Sequence, residues 1–232
     1  MFVLVIGPAS AGKTSIARRL SKGNILINLD PATPSEADID IRKWVRTEEV
    51  QAINSLGING ALLKSMEMIS GMDEWICPDT EKIKIVDTPG QLELFLYRDY
   101  GKRIVEKLAR HDAVVSLFLM DAEELCSLEN YLVMLAQNAI INLKLLIPSV
   151  TAINKIDLTG RKSLEKLVDR AYVEKMLDNG DALRSLSRGL VDYIEYTTIS
   201  QRPLFVSAKT GEGIEELYGV LHEVHCACGD LS

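Results

Sequence analysis

The chain has 232 residues, of which 47% are hydrophobic, enough for a sizeable core in one large domain or two small ones. Lys and Arg total 26 against 33 Asp and Glu, and the net charge of −7 argues against a broad nucleic-acid-binding surface. The four cysteines are too few and too scattered for a disulfide framework, which predicts a reducing compartment and a cytoplasmic location. No apolar run is long enough to span a membrane.

Six short runs of apolar and β-branched residues predict the strands of a sheet. Their apolarity is continuous rather than alternating, which is typical of parallel strands covered on both faces. The runs are Phe2–Ile6, Ile25–Leu29, Ile83–Val86, Val114–Met120, Leu145–Ile153 and Leu204–Val206. Because Pro148 cannot donate to a sheet, we expect the hydrogen-bonded part of the fifth strand to begin after it.

Segments with helical spacing separate these runs, for example Leu125–Ile141 and Leu164–Leu177. Strands that alternate with helices predict a three-layer α/β fold with a mainly parallel central sheet and right-handed crossovers. Residues of about 34–71 and 159–201 exceed what this alternation needs, and we interpret both as helical insertions; the second divides near Asn179-Gly180. No linker or repeat divides the chain, so we predict one domain over residues 1–232.

A glycine-rich motif follows the first predicted strand directly and leads into a helical pattern at Ser15–Leu20. It reads Gly7-Pro8-Ala9-Ser10-Ala11-Gly12-Lys13-Thr14 and matches G-x-x-x-x-G-K-[ST], the phosphate-binding loop or P-loop. In this context the backbone N–H groups and the positive end of the helix dipole bind phosphate, together with Ser15. We expect Lys13 to contact the β- and γ-phosphates and the Thr14 hydroxyl to bind Mg²⁺. The alternative is a glycine-rich turn with a surface lysine.

An acidic turn follows the third predicted strand and reads Asp87-Thr88-Pro89-Gly90-Gln91. Open α/β sheets bind ligands at the carboxyl ends of their strands, so we expect Asp87 to hold Mg²⁺ through a water molecule opposite Thr14. Gly90 can bring its N–H to the γ-phosphate, a contact that is lost with GDP. Gln91 is then placed to orient the attacking water. The alternative for Asp87 is a helix N-cap or a turn aspartate.

Two further motifs follow the last two predicted strands, and both are typical of a site that recognises guanine. They read Asn154-Lys155-Ile156-Asp157 and Ser207-Ala208-Lys209. The Asp157 carboxylate can accept the ring N–H and the exocyclic amine of guanine, a pair of donors that adenine lacks. We expect Asn154 to brace the loop, the Lys155 stem to cover one face of the base, and the Ala208 N–H to donate to guanine O6. Alone, N-K-x-D is a common tetrapeptide; in this position it predicts GTP rather than ATP.

With these motifs in this order, the chain resembles the GPN-loop GTPase family, in its archaeal type, over nearly its whole length. Further matches are Asn28-Leu29-Asp30-Pro31-Ala32, the stretch Asp87–Glu93 and Phe118-Leu119-Met120-Asp121-Ala122. The resemblance implies a GTPase of the SIMIBI class that uses GTP or GDP with Mg²⁺ and forms a constitutive homodimer. It also implies that Asp30 helps to hold the metal or the water; a helix N-cap is the alternative for Asp30.

Members of that family carry a Gly-Pro-Asn loop in their helical insertion, and the loop reaches across the dimer toward the partner's phosphates. The matching position here reads Gly57-Ile58-Asn59-Gly60 and has no proline. Because proline fixes the backbone and removes a donor, we expect isoleucine to give a looser loop. Asn59 is retained, and we expect it to act in trans on phosphate or on the attacking water. Alternatively, Gly57–Gly60 is only a turn between two helices.

The remaining candidate residues carry weaker signals. Arg18 and Arg19 lie on the helix after the P-loop and are expected to face solvent, so no arginine stands out as a catalytic group. A C-terminal cluster has metal-ligand chemistry but lacks the paired spacing of zinc sites, which favours a frayed helix end. Its members are His222, His225, Cys226 and Cys228.

The sequence thus predicts a magnesium-dependent GTPase that acts as a homodimeric switch. Catalysis is assigned to Lys13, Gln91, Asp30 and Asn59. The alternative is a binding module or assembly chaperone in which nucleotide locks the dimer with negligible turnover. Eukaryotic members of the resembled family are tied to RNA polymerase assembly, which suggests transcription machinery as a partner. A third interpretation, an ATPase of the related dimeric class, would keep the P-loop but lack N-K-x-D.

Overall fold

The structure is a computed structural model that describes residues 1–77, 80–92, 98–176, 185, 188–193 and 203–229, with side chains up to residue 224 in the last range. Its strands are β1 (Phe2–Ile6), β2 (Ile25–Asn28), β3 (Ile39–Asp40), β4 (Lys84–Asp87), β5 (Val114–Asp121), β6 (Ser149–Asn154) and β7 (Leu204–Phe205). The helices used below are α1 (Lys13–Leu20), α2 (Thr47–Asn54), α3 (Ile58–Gly71), α4 (Tyr100–Leu108), α5 (Leu128–Leu145), α6 (Arg161–Leu167), α7 (Arg170–Met176) and α8 (Ile214–Gly229). Among these, no helix is long and apolar enough to cross a membrane.

The strands form one parallel sheet in the order β3-β2-β4-β1-β5-β6-β7. This confirms the predicted α/β fold of the P-loop type. β1 lies between β4 and β5, with Val5 paired to Asp87 and Ile6 paired to Phe118. The carboxyl ends of these strands therefore meet at one edge, where the P-loop and the Asp87 turn leave the sheet.

Two apolar layers cover the faces of the sheet. Phe2, Leu4 and Ile6 of β1 point into a core shared with α2 to α7, whereas Val3 and Val5 point into a second core shared with α1 and α8. Side chains of a strand alternate between faces, and both sets are buried here because helices cover both faces. The first helical insertion thus packs on one face of the central sheet.

The first insertion, predicted as helical, also contains a strand. Residues of β3 form a two-residue edge strand beside β2, supported by the Asp38 carboxylate, which accepts the Leu26 N–H at 2.8 Å. So short an element leaves no periodic signal in the sequence. The helical part of the prediction corresponds to α2 and α3, which are joined through Ser55 in a left-handed conformation (φ 50).

Two other predicted elements differ in their bounds. β6 begins at Ser149, directly after Pro148 as expected, but Leu145 is the last residue of α5, and the C-cap Leu146 has φ 55. The predicted helix Leu164–Leu177 is divided into α6 and α7. The predicted break at Asn179-Gly180 lies outside the described residues.

A buried ion pair closes the end of the sheet opposite the P-loop. Lys84 at the start of β4 is 1% exposed, and its Nζ lies 2.8 Å from Asp112 Oδ2, which also pairs with the Met1 ammonium group. A buried ammonium group is tolerated only when a carboxylate or other acceptors compensate for its lost hydration. Asp112 therefore compensates the buried charge at the start of β4 and links it to the N-terminus of the chain.

Candidate nucleotide-binding site

The P-loop joins β1 to α1 through two positions that only glycine can occupy. A Cβ at Gly7 would lie 2.5 Å from the Leu119 carbonyl oxygen. Gly12 has φ 84, and a Cβ there would lie 2.4 Å from Asn154 Nδ2. The loop is thus in direct contact with the end of β5 and with the N-K-x-D motif.

Lys13 is the first residue of α1 and lies against its own loop. It is 6% exposed, and its Nζ donates to the carbonyl oxygens of Gly7 (3.0 Å) and Pro8 (2.8 Å). These contacts hold a positive charge within the loop, at the N-terminus of a helix whose N–H groups are available to an anion. A phosphate group in the loop would meet both the ammonium group and the helix dipole.

Asp87 is a buried carboxylate at the tip of β4. It is 4% exposed, and its Oδ1 has no hydrogen-bond partner. Burial is the main cause that raises the pKa of Asp87, to about 6, and the nearby Asp30 adds to the effect, whereas a hydrogen bond from Thr14 opposes it. The neighbouring Thr88 hydroxyl donates to the Val5 carbonyl oxygen at 2.7 Å and fixes this turn to β1.

These residues fit a magnesium ion. An unpartnered buried carboxylate oxygen needs a compensating charge or donor, and it lies beside a threonine hydroxyl and a second carboxylate. Mg²⁺ in nucleotide sites is typically bound by one or two protein oxygen ligands, and substrate phosphates and water supply the remaining ligands. The described residues contain no group of three or more His, Cys, Asp or Glu that could hold a metal without such help.

The loop after β2 holds Asp30 in a turn rather than at a helix start. Asp30 Oδ1 accepts the Ala32 N–H at 2.9 Å, and the Asp30 N–H donates to Asn28 Oδ1 at 3.0 Å. Arg42 donates to the Pro31 carbonyl oxygen at 2.7 Å and steadies the loop from outside. The helix N-cap considered for Asp30 is not what this loop contains, because Ala32 precedes no helical turn.

Asn154 joins the P-loop to the two motifs that were assigned to the base. Its Nδ2 donates to the Ala11 carbonyl oxygen at 2.9 Å, and its Oδ1 accepts the Ala208 N–H at 3.0 Å. The bracing role predicted for Asn154 is consistent with these contacts. The Ala208 N–H, however, is engaged by Asn154 in this structure rather than free for guanine O6. Ser207 Oγ donates to Asp157 Oδ1 at 2.6 Å and orients that carboxylate.

Lys155 is held by a carboxylate that the motif alone does not reveal. Its Nζ lies 2.5 Å from Asp121 Oδ2 and 3.5 Å from Glu123 Oε2. Asp121 is buried at the tip of β5, and its hydrogen bond raises the pKa of Lys155. The ion pair fixes the aliphatic stem of Lys155, which itself has a left-handed backbone (φ 67). Asp121 lies in the F-L-M-D-A match at the end of a strand, which was the available signal.

Residues of the P-loop segment, of the N-K-x-D motif and of the S-A-K motif line one cleft of about 410 Å³. Its lining consists of Gly12, Ser15, Asn154, Lys155, Asp157, Leu158, Ala208 and Lys209. The P-loop borders the cleft at Gly12, and Asp157 in its lining is exposed. The cleft brings Gly12 and Ser15 together with the predicted base residues at the carboxyl ends of the parallel strands, where α/β sheets bind ligands.

Arg19 corrects one expectation. It does not simply face solvent: its guanidinium donates to the carbonyl oxygens of Ala208 (2.7 Å) and Lys209 (2.6 Å). Arg19 therefore ties α1, which begins in the P-loop, to the S-A-K loop. This contact spans 189 positions of sequence, so no local pattern reveals it.

A second, smaller cleft of about 220 Å³ also borders the P-loop. It is lined by Pro8, Ala9, Gly90, Gln91, Leu92 and Gln137. Gly90 and Gln91 are both exposed, and a Cβ at Gly90 would meet no atom within 4 Å. The structure therefore places the predicted water-orienting Gln91 beside the P-loop.

Asn59 is not brought to the other predicted residues within one chain. It lies exposed in the first turn of α3, with Gly57 as the N-cap, and lines neither cleft. Ile58 is the first residue of this regular helix, a position that proline also favours. The expected looser loop is therefore wrong, since residue 58 begins a helix. The turn between the two helices spans residues 55–57.

Little of the C-terminal cluster can be placed. The His222 ring lies 4.8 Å from that of Tyr218 on α8. The side chains of His225, Cys226 and Cys228 lie outside the described part of the chain.

A parallel sheet, a P-loop before its first helix and an acidic turn at the neighbouring strand define a P-loop nucleoside triphosphatase. Residues 5–227 match a family model described as "Conserved hypothetical ATP binding protein". The GPN-loop GTPase PAB0955 of Pyrococcus abyssi is 31% identical over the full length of both chains. GPN-loop GTPase 1 of Dictyostelium discoideum is 30% identical, covering 93% of this chain and 59% of that protein.

The crystal structure of PAB0955 in its apo form superposes with a TM-score of 0.74 at 27% identity, covering 98% of each chain. The chain belongs to the GPN-loop GTPase family. It is a GTPase, an enzyme that binds and hydrolyses GTP.

Proposed function

We propose that the chain is a magnesium-dependent GTPase that works as a homodimeric switch or assembly factor. The observation that carries the metal assignment is the buried, unpartnered Oδ1 of Asp87 beside Thr14. A carboxylate in this state is poorly stabilised without a cation. Thr14, Asp87 and Asp30 would hold Mg²⁺ at the mouth of the P-loop, where it would neutralise charge on the β- and γ-phosphates.

The residues of the chain then act mainly by position and charge. Lys13 and the N–H groups of the P-loop bind the β- and γ-phosphates and offset the charge that develops on them. Asp157 accepts from guanine, while the fixed Lys155 stem covers the base. Gln91 orients a water in line with the γ-phosphate from the smaller cleft. The carbonyl oxygens that now accept from Lys13 release it when phosphate binds, since phosphate is the stronger acceptor.

The homodimer is supported by the surface around Asn59. Ile58 beside it is 70% exposed, and Ile53 on the adjoining α2 is 82% exposed. Large apolar side chains on both sides of a short helix turn suit a protein contact better than water. In the proposed dimer, this turn enters the partner's site and Asn59 acts there on phosphate or the attacking water.

A phosphate-release assay tests turnover and metal dependence together. Purified protein is mixed with GTP in Mg²⁺ or in EDTA, with Lys13→Ala as the control. We expect release only for the wild type with Mg²⁺. GTP binding without release would instead support the alternative, a nucleotide-locked binding module. Equal release in EDTA would contradict the role of Thr14 and Asp87.

Mixed dimers test action in trans. Asn59→Ala and Lys13→Ala are each expected to be slow alone, the first through the lost asparagine and the second through the lost P-loop charge. Mixing them after subunit exchange creates one intact site, with Lys13 from one chain and Asn59 from the other. Recovery of phosphate release is expected, whereas no recovery in a confirmed mixed dimer would exclude Asn59 from acting across the interface.

A further inference from the structure

Gln137 on α5 has a buried polar atom that the chain itself does not satisfy. Its side chain lines the smaller cleft with the P-loop residues Pro8 and Ala9 and with Gly90 to Leu92. Its Oε1 is buried and accepts no hydrogen bond. An unpaired buried acceptor is unfavourable, so native proteins keep few of them, and those that remain call for an explanation at a functional site.

The chemistry of the cleft limits which side chain can donate to this oxygen. An amide oxygen accepts hydrogen bonds and cannot donate to a phosphate oxygen. Among the described residues that line the cleft, Pro8, Ala9, Gly90 and Leu92 have no side-chain donor. Gln91 is the remaining lining side chain, and its carboxamide carries two N–H donors.

We propose that Gln137 is a positioning residue for Gln91, an inference that rests on the proposed role of Gln91 in GTP hydrolysis. One N–H of the Gln91 carboxamide donates to Gln137 Oε1 when the nucleotide is bound. This contact fixes which way the Gln91 amide faces and leaves its carbonyl oxygen free to accept from the attacking water. Gln137 touches neither phosphate nor water in this arrangement.

The test compares Gln137→Met with a matched variant on the same helix. Methionine keeps the length of the side chain but removes the acceptor, so GTP turnover is expected to fall about ten-fold, the equivalent of one hydrogen bond. The Kd for GTP should not change, and thermal stability should stay equal or rise because an unpaired polar atom is lost. Asn142→Leu is the control, since both amide atoms of Asn142 are buried and unpaired on α5 but do not line the cleft. The thermal stability of Asn142→Leu should likewise stay equal or rise, and its GTP turnover should match that of the wild type.

Two further variants separate positioning from a structural effect. Gln137→Glu keeps an acceptor oxygen and should turn over GTP faster than Gln137→Met. The double variant Gln91→Ala/Gln137→Met should be no slower than Gln91→Ala alone, because Gln137 acts through Gln91. Normal turnover by Gln137→Met, or additive losses in the double variant, would overturn the proposal. Absence of turnover in the wild type would instead overturn the proposed function.

Discussion

Replacing Asp87 by Asn should stabilise the protein while it abolishes metal-dependent turnover. The carboxylate is 4% exposed and one of its oxygens has no partner, so its ionised form is poorly accommodated when no cation is present. Asn keeps the shape and can still accept the hydrogen bond from Thr14. It carries no charge, and therefore removes the desolvation cost together with the ability to bind Mg²⁺.

The size and pH dependence of the effect follow from the pKa. Burial raises the pKa of Asp87 from 3.8 to about 6. Each pKa unit corresponds to about 1.4 kcal/mol, so the ionised group costs the folded state up to about 3 kcal/mol. Because the pKa of Asp87 is higher in the folded than in the unfolded state, the protein has its full stability below pH 3.8, where the group is neutral in both states. The free energy of unfolding falls as the pH rises from 3.8 to about 6, and above that pH Asp87 changes it no further.

The assay is urea unfolding of wild type and Asp87→Asn in EDTA without nucleotide, at several pH values. The two proteins should be equally stable near pH 3.8, and the variant should be more stable by up to about 3 kcal/mol above pH 6. In the phosphate-release assay with Mg²⁺, the variant should be inactive. A variant that is less stable than the wild type at pH 8, or a difference that does not depend on pH, would refute the account of Asp87.

Three other substitutions test separate parts of the structure. Asp112→Asn leaves the buried Lys84 without a charged partner and should lower the free energy of unfolding by about 3 kcal/mol in urea titrations; an unchanged value would contradict the ion pair. Asp121→Asn frees Lys155 and should speed release of labelled GDP about ten-fold, with unfolding as the control for a general defect. Ile58→Pro should raise the free energy of unfolding by about 0.5–1 kcal/mol, because position 58 starts α3 and Gly57 precedes it with ψ 165. Lower stability would show that the N–H of residue 58 has a partner.

The central strands and the loops at their ends were predictable because each signal is local. β1, β4 and β6 are short runs rich in apolar and β-branched residues, and a motif begins at or directly after the end of each. Because the strands are parallel, the motifs at their carboxyl ends lie at one edge of the sheet. The order of the motifs in the sequence therefore predicts that Lys13, Asp87 and Asn154 lie close together. The P-loop glycines also follow, since contacts as close as those of Gly12 exclude any side chain.

The parts that sequence did not predict depend on contacts between distant residues or on very short elements. β3 has two residues, too few for a periodic pattern. Arg19 and Gln137 are ordinary residues in their segments, and their contacts involve residues far along the chain. Asp121 lies in a matched motif, but its pairing with Lys155 is not visible in the sequence. Ile58 was misjudged because a missing proline suggests flexibility, whereas the helix it begins sets its conformation.

Competition between GTP and ATP for the protein shows whether the cleft recognises guanine. Labelled GDP is bound to the protein and displaced by each triphosphate in Mg²⁺, with Asp157→Ala as the matched variant. GTP is expected to displace the label about a hundred-fold better than ATP, and the variant should lose this preference because no carboxylate is left to accept from guanine. Equal displacement by GTP and ATP in the wild type would contradict a guanine site at these loops.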